Sequence, residues 1–239
     1  MELSVVIPVR NEVTNVEPLF MEIYATLEGM VDYEVIFVDD GSDDGTAVTL
    51  DQLSEQFNRL RVLHHRHSCG QSTAILTGVR AAQAPLIATL DGDGQNDPAD
   101  IPKLLDTLHQ QGDNDLQMVC GQRLKRQDTL IRRVSSRIAN NVRSKILEDK
   151  TLDTGCGLKL FHRKLFLRLP YFDHMHRFLP ALALPQGAQL SWVEVNHRPR
   201  TGGQSKYGVN NRLWAGIIDL FGVKWLQNRT KRPELTEKF

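Results

Sequence analysis

The feature that most constrains the fold is a regular alternation of short apolar runs with longer amphipathic stretches over the first half of the chain. In the first amphipathic stretch, apolar residues recur at steps of three and four, which is the spacing of one helix face. Strands and helices alternating at this pace predict βαβ units, and hence an α/β fold with a doubly wound, mainly parallel sheet covered by helices on both faces. The helix residues are Val16, Leu19, Phe20, Ile23 and Leu27, and the predicted strands are 3–9, 33–39, 60–64, 86–90 and 116–121.

Composition limits the class of protein. The 239 residues are 41% hydrophobic and 24% charged, enough to bury the core of one large domain with or without an appendage. Lys and Arg number 29 and Asp and Glu also 29, so net charge gives no reason to expect a nucleic-acid partner. Cys69, Cys120 and Cys156 are far apart, which argues against a disulfide framework and is typical of a reducing cytosol. No apolar run approaches the about 18 residues of a membrane span.

The chain changes character near residue 125. No repeat or low-complexity linker interrupts residues 1–125, which we interpret as one doubly wound unit. The later part is less regular and predicts a basic helix at about 128–147, a short strand in GLKLFHR and a strand in LSWVEVNHR.

Polar clusters follow three of the predicted parallel strands. They are PVRNE at 8–12, DDGSDDGT at 39–46 and DGDGQND at 91–97. In open parallel sheets, ligands bind beyond the carboxyl ends of the strands. We therefore expect these three loops to converge on one crevice.

Two polar segments, DDGSDDGT and HHRH, invite interpretation as metal sites, but each has a simpler explanation. DDGSDDGT comes close to a calcium loop, but an EF-hand needs an entering helix, and EVIFV is a strand; a turn that caps the next helix is favoured. For HHRH at 64–67, zinc is disfavoured because adjacent histidines point to different faces and no cysteine or carboxylate stands nearby at ligand spacing. A plain strand end is the favoured interpretation there.

The D-x-D of DGDGQ indicates a divalent cation. Gly92 and Gly94 permit close backbone approach, and a few hard oxygen ligands are typical of Mg²⁺ or Mn²⁺ sites that are completed by substrate phosphates. The sequence therefore predicts a cation shared between the protein and a diphosphate.

Several motifs together resemble glycosyltransferase family 2 with its GT-A fold. They are VVIPVRNE, VDDGS, GQSTAILTGVRAA, LDGDGQNDP and GQR at 121–123. With GQSKYG at 203–208, the set resembles the branch of dolichyl-phosphate mannose synthases and bacterial polyprenyl-phosphate hexosyltransferases. The resemblance covers about residues 3–210. It implies a catalytic domain at 1–208, with a nucleotide-binding half up to about 125 and an acceptor half after it, followed by an amphipathic helix and tail at 209–239.

The resemblance also implies roles for individual residues, taken position by position. The donor nucleotide would be held by Pro8, Glu12, Asp39, Asp40 and Asp91. The metal would be held by Asp93 and Gln95, with Asp91 beside them. Phosphates would meet Arg123, Arg200 and Lys206, which with Asp93 form the catalytic set. The acceptor phosphate would lie near Ser136 and either Arg132 or Arg133.

The implied activity is inverting transfer of a hexose. The donor would be GDP-mannose or a UDP-sugar, and the acceptor a dolichyl or undecaprenyl phosphate at the cytosolic face of a membrane. One alternative is a family 2 enzyme acting on a sugar or protein hydroxyl, for which Asp153 is the obvious candidate base. A more distant alternative is a non-catalytic nucleotide-binding partner of a membrane protein.

Two segments indicate a peripheral membrane protein. Residues 125–145 carry seven Lys and Arg against one Asp, and a basic helix of this kind suits either solvent or an anionic lipid surface. Residues 210–229 place Leu213, Trp214, Ile217, Ile218, Phe221 and Trp225 on one helical side. That face suits a membrane interface about as well as it suits packing on the protein body, on a second copy or on a membrane partner.

Overall fold

The computed structural model describes residues 1–112, 115–123, 143–149, 151, 153–199 and 209–231, with side chains of the last helix from residue 216 onward. Seven strands form one sheet in the order β3-β2-β1-β4-β6-β5-β7. The strands are β1 Leu3–Val9, β2 Tyr33–Asp39, β3 Leu60–His64, β4 Leu86–Thr89, β5 Gln117–Gln122, β6 Lys159–His162 and β7 Gln189–Glu194. The predicted mainly parallel sheet is confirmed, because only β6 runs antiparallel, between β4 and β5.

Helices cover both faces of the sheet. They are α1 Val16–Leu27, α2 Thr46–Gln56, α3 Gln71–Ala81, α4 Ile101–Gln110, α5 with described residues 143–147, α6 Arg163–Leu167, α7 Leu179–Ala183 and α8 Val209–Arg229. A short 3₁₀ turn at Met175–Arg177 precedes α7. The predicted helix face of α1 is confirmed, since all five of its periodic apolar residues are buried.

The core consists of two layers, one on each face of the sheet. Side chains alternate between faces along a strand, so Val5 and Ile7 of β1 pack in the layer of α1, α2 and α4, whereas Val6 packs in the layer of α3, α6 and α7. Gly78 on α3 is required by this packing, because a Cβ there would lie 2.4 Å from Val6 Cγ1. The sheet is therefore sandwiched, and its polar loops are left at the strand ends.

The antiparallel strand follows from where the chain leaves β5. Arg123 directly follows β5, its amide donates to Asp153 Oδ2 at 3.3 Å, and residues 153–158 lead from this carboxyl edge of the sheet into β6. A strand that starts at the carboxyl edge has to run back across the sheet. The predicted strand in GLKLFHR is confirmed over four residues, Lys159–His162, and α6 begins directly after it at Arg163.

From residue 216 onward, where its side chains are described, the last helix, α8, packs on the protein by one face. Val223 is fully buried, and Gln227 Nε2 donates to Leu147 O at 3.0 Å and Ala181 O at 2.9 Å. The opposite face exposes Ile217, Ile218, Phe221 and Trp225. None of the helices that the structure describes combines the length and apolar character needed to cross a bilayer.

Candidate active site

The three predicted polar loops meet at one edge of the sheet. β2, β1 and β4 are neighbours and parallel, so their carboxyl ends lie side by side. Pro8 lies within β1 and is buried, with Val38 opposite it in β2. Gly92 sits directly against the end of β1, since a Cβ there would lie 2.4 Å from Val9 Cγ1 and 3.1 Å from Pro8 O.

The loops after β1 and β2 are joined by hydrogen bonds. The Glu12 amide donates to Thr46 Oγ1 at 2.9 Å, and Asn11 and Asp43 are bonded in both directions, at 2.6 and 2.9 Å. The Glu12 carboxylate accepts from Asn15 Nδ2 at 2.6 Å. The predicted donor residue Glu12 is therefore held at the mouth of the β1–β2 crevice by the loop that follows β2.

Asp39 ends β2 and is almost fully buried. Its carboxylate accepts from the Ser42 amide at 3.1 Å and from the Ser42 hydroxyl, and it contacts His64 Nδ1 at 3.1 Å. These contacts fix the turn that separates β2 from α2.

Asp40 is surrounded by four hydrogen-bond partners. Its carboxylate accepts from Ser68 Oγ at 2.7 Å, the Cys69 amide at 2.8 Å and the Gly70 amide at 2.9 Å, and it contacts His65 Nδ1 at 2.7 Å. Burial by itself raises the pKa of Asp40, but the bonds from Ser68, Cys69 and His65 outweigh it and lower the pKa. Asp40 therefore stays ionised and holds the loop that leads into α3.

The D-x-D loop follows β4. The Asp91 amide donates to Asn96 Oδ1 at 2.9 Å, and the Gln95 amide donates to Asp93 Oδ1 at 3.2 Å. Gly94 has φ of +72°, a conformation that favours glycine. The turn brings Asp91, Asp93 and Gln95, the three predicted metal ligands, together at the end of one strand.

Asp91 is the carboxylate of this loop that faces the cavity. Burial raises its pKa, and the neighbouring charge of Asp93 raises it further, while Lys159 and Arg123 partly offset both effects. Gln71 Nε2 donates to Asp91 Oδ1 at 2.9 Å. Two carboxylates so placed favour a cation between them, because it would relieve their repulsion.

Arg123 is clamped by Asp153. Its Nε lies 2.6 Å from Asp153 Oδ2 and its Nη2 lies 2.8 Å from Asp153 Oδ1, a bidentate pair in which both side chains are buried. Gly155 lets the guanidinium lie flat, since a Cβ there would be 2.9 Å from Nη2. The sequence suggested Asp153 as a base for a hydroxyl acceptor, but both of its carboxylate oxygens are bonded to Arg123.

A cavity of about 490 Å³ opens between these groups. Three of the predicted residues line it, namely Asp91, Gln95 and Arg123. Six further polar residues that sequence reasoning missed also line it: Gln71, Thr89, Thr154, Lys159, His176 and Arg177. The cavity therefore joins the D-x-D loop to the acceptor half of the chain.

Lys159 is the most informative of the missed residues. It begins β6, is 5% exposed, and its ammonium donates to Cys156 O on the cavity wall. A lysine flanked by Leu158 and Leu160 in an apolar run was the available signal, because buried lysines are rare without a functional or structural reason.

His176 lies on the opposite wall, in the turn before α7. Its Nδ1 lies 2.7 Å from Ser72 Oγ, at the start of α3. Burial, together with the positive charges of Arg177 and Lys159, lowers the pKa of His176 to about 3. The ring is therefore neutral at physiological pH and acts as a hydrogen-bonding group rather than as a cation.

Five predicted site residues lie outside the part of the chain that the structure describes. They are Arg132, Arg133 and Ser136 in the basic segment, and Arg200 and Lys206 before α8. Their assignment to phosphate binding stays a prediction.

The chain is similar to known proteins along most of its length. The family model "Glycosyl transferase family 2" matches residues 4–169. Dodecaprenyl-phosphate galacturonate synthase of Rhizobium johnstonii is 35% identical over 98% of this chain and 69% of its own length. Undecaprenyl-phosphate 4-deoxy-4-formamido-L-arabinose transferase of Photorhabdus laumondii is 35% identical over 86% of this chain and 63% of its own.

Solved structures agree with the fold. Glucosyl-3-phosphoglycerate synthase from Mycobacterium tuberculosis, in complex with Mn²⁺, uridine diphosphate and glucosyl-3-phosphoglycerate, superposes with a TM-score of 0.69 at 20% identity, covering 98% of this chain and 81% of that one. A complex of the same synthase with Mg²⁺ and uridine diphosphate also has a TM-score of 0.69. The match over residues 4–169, the solved structures and the D-x-D loop at the carboxyl edge of the sheet agree. This protein belongs to glycosyl transferase family 2 and has the GT-A fold.

Proposed function

We propose that the protein transfers a sugar from a nucleotide-diphosphate donor to a polyprenyl phosphate, with inversion at the anomeric carbon. The observation that carries the proposal is the composition of the cavity described above. It is lined by the D-x-D residue Asp91 and by the buried cations Arg123 and Lys159. Such a site suits two phosphorylated substrates, one bound with a metal ion and one bound by side-chain cations.

The names of the relatives support a lipid-phosphate acceptor. They include a dodecaprenyl-phosphate and an undecaprenyl-phosphate sugar transferase, of which this chain spans 69% and 63%. Their sugars, galacturonate and 4-deoxy-4-formamido-L-arabinose, are a uronic acid and a pentose derivative. The donor sugar here is therefore proposed as a class, a hexose or pentose on UDP or GDP, rather than as one compound.

The residues present fit a hard divalent cation. Asp91, Asp93 and Gln95 offer carboxylate and amide oxygens, the donor set preferred by Mg²⁺ and Mn²⁺. Burial, and after it the charge of Asp93, raises the pKa of Asp91, and a cation there would counter both effects. An ion held there supplies positive charge to the departing diphosphate. Crystal structures of the Mycobacterium tuberculosis neighbour contain Mn²⁺ or Mg²⁺ with uridine diphosphate.

The carboxylates around the cavity favour an acceptor that is already ionised. In the described part of the chain, Asp153 is bound through both oxygens to Arg123, and Asp91 accepts from Gln71 and belongs to the proposed metal site. A hydroxyl acceptor requires a base to remove its proton, whereas a phosphate oxygen does not. In the proposed reaction, a phosphate oxygen of the acceptor attacks the anomeric carbon from the face opposite the leaving nucleoside diphosphate. The bond between the anomeric carbon and the diphosphate oxygen breaks, and the nucleoside diphosphate leaves.

Arg123 and Lys159 are proposed to position the acceptor phosphate. Asp153 fixes the guanidinium of Arg123 so that its remaining N–H groups, on Nη1 and Nη2, are oriented with little further loss of side-chain entropy on binding. His176, being neutral, would contribute a hydrogen bond to a sugar or phosphate oxygen without changing the charge of the site.

The exposed face of α8 supports a peripheral position on a membrane. Ile218, Phe221 and Trp225 are 70%, 65% and 59% exposed, and Arg229 stacks over the Trp225 ring at 5.7 Å. Aromatic and aliphatic groups beside a cation are typical of helices that lie at a lipid interface. We propose that this face contacts the cytosolic surface of the membrane that holds the acceptor.

The experiment that tests the function compares two acceptors that differ only in the phosphate. The full chain is incubated with Mg²⁺ or Mn²⁺, a panel of UDP- and GDP-sugars that includes uronic acids and pentoses, and either a short polyprenyl phosphate or the corresponding polyprenol. We expect a glycolipid only with the phosphate. Transfer to the polyprenol, or to a sugar hydroxyl, would contradict the proposal and favour the alternative acceptor class.

A further inference from the structure

A second cluster of potential metal ligands lies away from the D-x-D loop. Asp40, His65 and Cys69 each offer one ligand atom, and these atoms lie within 4.8 Å of one another. They come from the loop after β2, the residue after β3 and the residue before the loop enters α3. His65 and Cys69 are four residues apart in the sequence, and the fold brings Asp40, which lies 25 residues before His65, next to both.

The backbone around the cluster is built to hold these three residues in place. Gly41 has φ of +70°, and a Cβ there would lie 2.9 Å from both His67 C and Ser68 N, so the segment before α3 packs directly on this glycine. Asp40 Oδ2 accepts from Ser68 Oγ at 2.7 Å and from the Gly70 amide at 2.9 Å. The other oxygen, Oδ1, accepts from the Cys69 amide at 2.8 Å and contacts His65 Nδ1 at 2.7 Å, so it lies on the side of the two other ligand residues.

The chemistry of the three side chains differs from that of the D-x-D loop. A thiolate and an imidazole select borderline-soft ions such as Zn²⁺, whereas carboxylate and amide oxygens select Mg²⁺. Cys69 is exposed, so an ion could enter from solvent and keep water at its remaining position. We propose that Asp40, His65 and Cys69 form a three-ligand site for Zn²⁺ or a similar thiophilic cation, separate from the metal site of the D-x-D loop.

Binding requires two hydrogen bonds to be replaced, one between His65 and Asp40 and one from Cys69 Sγ to His67 O at 3.4 Å. His65 Nδ1 lies 2.7 Å from Asp40 Oδ1, and the ion would take the place of the proton between them. The ring proton then resides on Nε2, which lies 2.9 Å from Thr77 Oγ1 and can donate to it. An outer partner of this kind is what orients a metal-binding imidazole. Cys69 binds as the thiolate, so its proton is released to solvent.

The site would join three segments on the donor side of the crevice. An ion bound to Asp40, His65 and Cys69 would link the end of β2, the end of β3 and the start of α3. Its existence does not depend on the proposed acceptor or on transfer activity, so it can be tested by binding alone.

The test is a Co²⁺ titration of the full chain, followed by displacement with Zn²⁺. We expect one equivalent with a thiolate-to-cobalt charge-transfer band, which Zn²⁺ removes and excess Mg²⁺ leaves in place. Cys69→Ser should abolish the band, and His65→Gln should weaken binding by at least about a hundredfold. Thr77→Val should weaken it by about 10- to 100-fold, the usual effect of losing an outer partner. His67→Gln, in the same exposed loop, is the matched control and should bind like the wild type.

Several outcomes would overturn the site. They are a folded wild type that gives no thiolate band, a band that persists in Cys69→Ser, and unchanged affinity in His65→Gln. Asp93→Asn separates this site from the proposed function, because it removes a ligand of the D-x-D loop and should leave the cobalt band unchanged. Loss of the band in Asp93→Asn would mean that the ion binds at the D-x-D loop instead, and would also overturn the proposal.

Discussion

The two halves of the sheet stabilise their charged groups in different ways. On the donor side, Asp39 and Asp40 are bound by backbone amides, hydroxyls and histidines of adjacent loops. On the acceptor side, Arg123 and Asp153 bind mainly to each other, although about 30 residues separate them in sequence, with both side chains less than a tenth exposed. Lys159 is buried beside them with its ammonium on a backbone carbonyl.

The difference predicts different sensitivity to substitution. A carboxylate bound by several backbone amides loses only part of its stabilisation when one neighbour changes. A buried ion pair behaves otherwise, because removal of one partner leaves the other charge desolvated and unpaired. The acceptor side should therefore be the half in which single changes affect both folding and activity.

The largest effect is expected at the D-x-D loop. Asp93→Asn removes a ligand charge of the proposed metal site and should lower transfer by about 10²- to 10³-fold or more, as for loss of other groups that stabilise transition-state charge. Donor binding should lose most of its dependence on Mg²⁺ or Mn²⁺. The measurement is initial rate and nucleotide affinity across a metal titration.

Asp106→Asn is the matched control for that substitution. Asp106 is exposed on α4 and should tolerate the change with unaltered rate and metal dependence. Wild-type turnover by Asp93→Asn at every metal concentration would contradict the assigned role.

The second effect distinguishes the role of the Arg123–Asp153 ion pair in folding from the role of Arg123 in catalysis. Arg123→Ala should lower turnover by about 10- to 100-fold, because it removes charge-assisted hydrogen bonds worth about 1.5–3 kcal/mol each. Asp153→Asn should lower turnover too, through loss of the clamp, and each single change should cost about 3–5 kcal/mol of folding free energy. The double variant Arg123→Met with Asp153→Leu should recover much of the stability but none of the activity.

Lys164 and Asp115 provide an exposed control pair with a similar distance between nitrogen and oxygen. Their contact is 2.6 Å, but the side chains are 69% and 52% exposed, so Lys164→Ala should cost less than about 1 kcal/mol. Denaturant unfolding of the variants measures the loss of unfolding free energy for both pairs. If the double variant regains activity together with stability, Arg123 acts only in folding.

Sequence patterns predicted the donor side well because its signals are local. The strands β1 to β3 match their predicted bounds, since each is an apolar run closed by a polar loop. The loops converge as expected because parallel neighbours must end at the same edge. Glu12, Asp39, Asp40 and Asp91 lie around that edge, although their binding of a nucleotide stays a prediction.

The acceptor side was less predictable because its contacts are long-range. The pairing of Arg123 with Asp153, and of Ser72 with His176 about a hundred residues later, leaves no periodic signal. Asp40, His65 and Cys69 give a partly similar case. The sequence disfavours zinc at HHRH, but Cys69 lies only four residues after His65, and the fold adds the carboxylate of Asp40.

The third effect is a pH dependence of folding stability. The pKa of His176 is about 3 in the folded protein and about 6.5 in an unfolded chain. Between these two pH values, His176 therefore binds a proton in the unfolded state but not in the folded state. Stability from this residue is complete above about pH 6.5 and is lost as pH falls toward 3, by at most about 1.4 kcal/mol per pH unit.

His176→Gln should remove that slope. The quantity to compare is the difference in unfolding free energy between wild type and variant, measured in urea from neutral to acid pH. His67→Gln, an exposed histidine, should leave the slope as it is in the wild type. A difference between wild type and His176→Gln that does not vary with pH would show that His176 titrates normally.

The smallest effect on folding is expected on the exposed face of α8, where the two faces of one helix give opposite predictions. Phe221→Ala with Trp225→Ala should change stability by no more than about 0.5 kcal/mol per site, because both rings are exposed. Val223→Ala, on the buried face, should cost more than about 1 kcal/mol.

In flotation with anionic liposomes the order of the two effects should reverse. Loss of the two rings should lower binding by about tenfold or more, since burying one such side chain is worth about 1.5–3 kcal/mol, whereas folded Val223→Ala should float like the wild type. Equal flotation of all three proteins, at low salt and at about 1 M salt where the screening length is about 3 Å, would place the membrane contact elsewhere on the molecule.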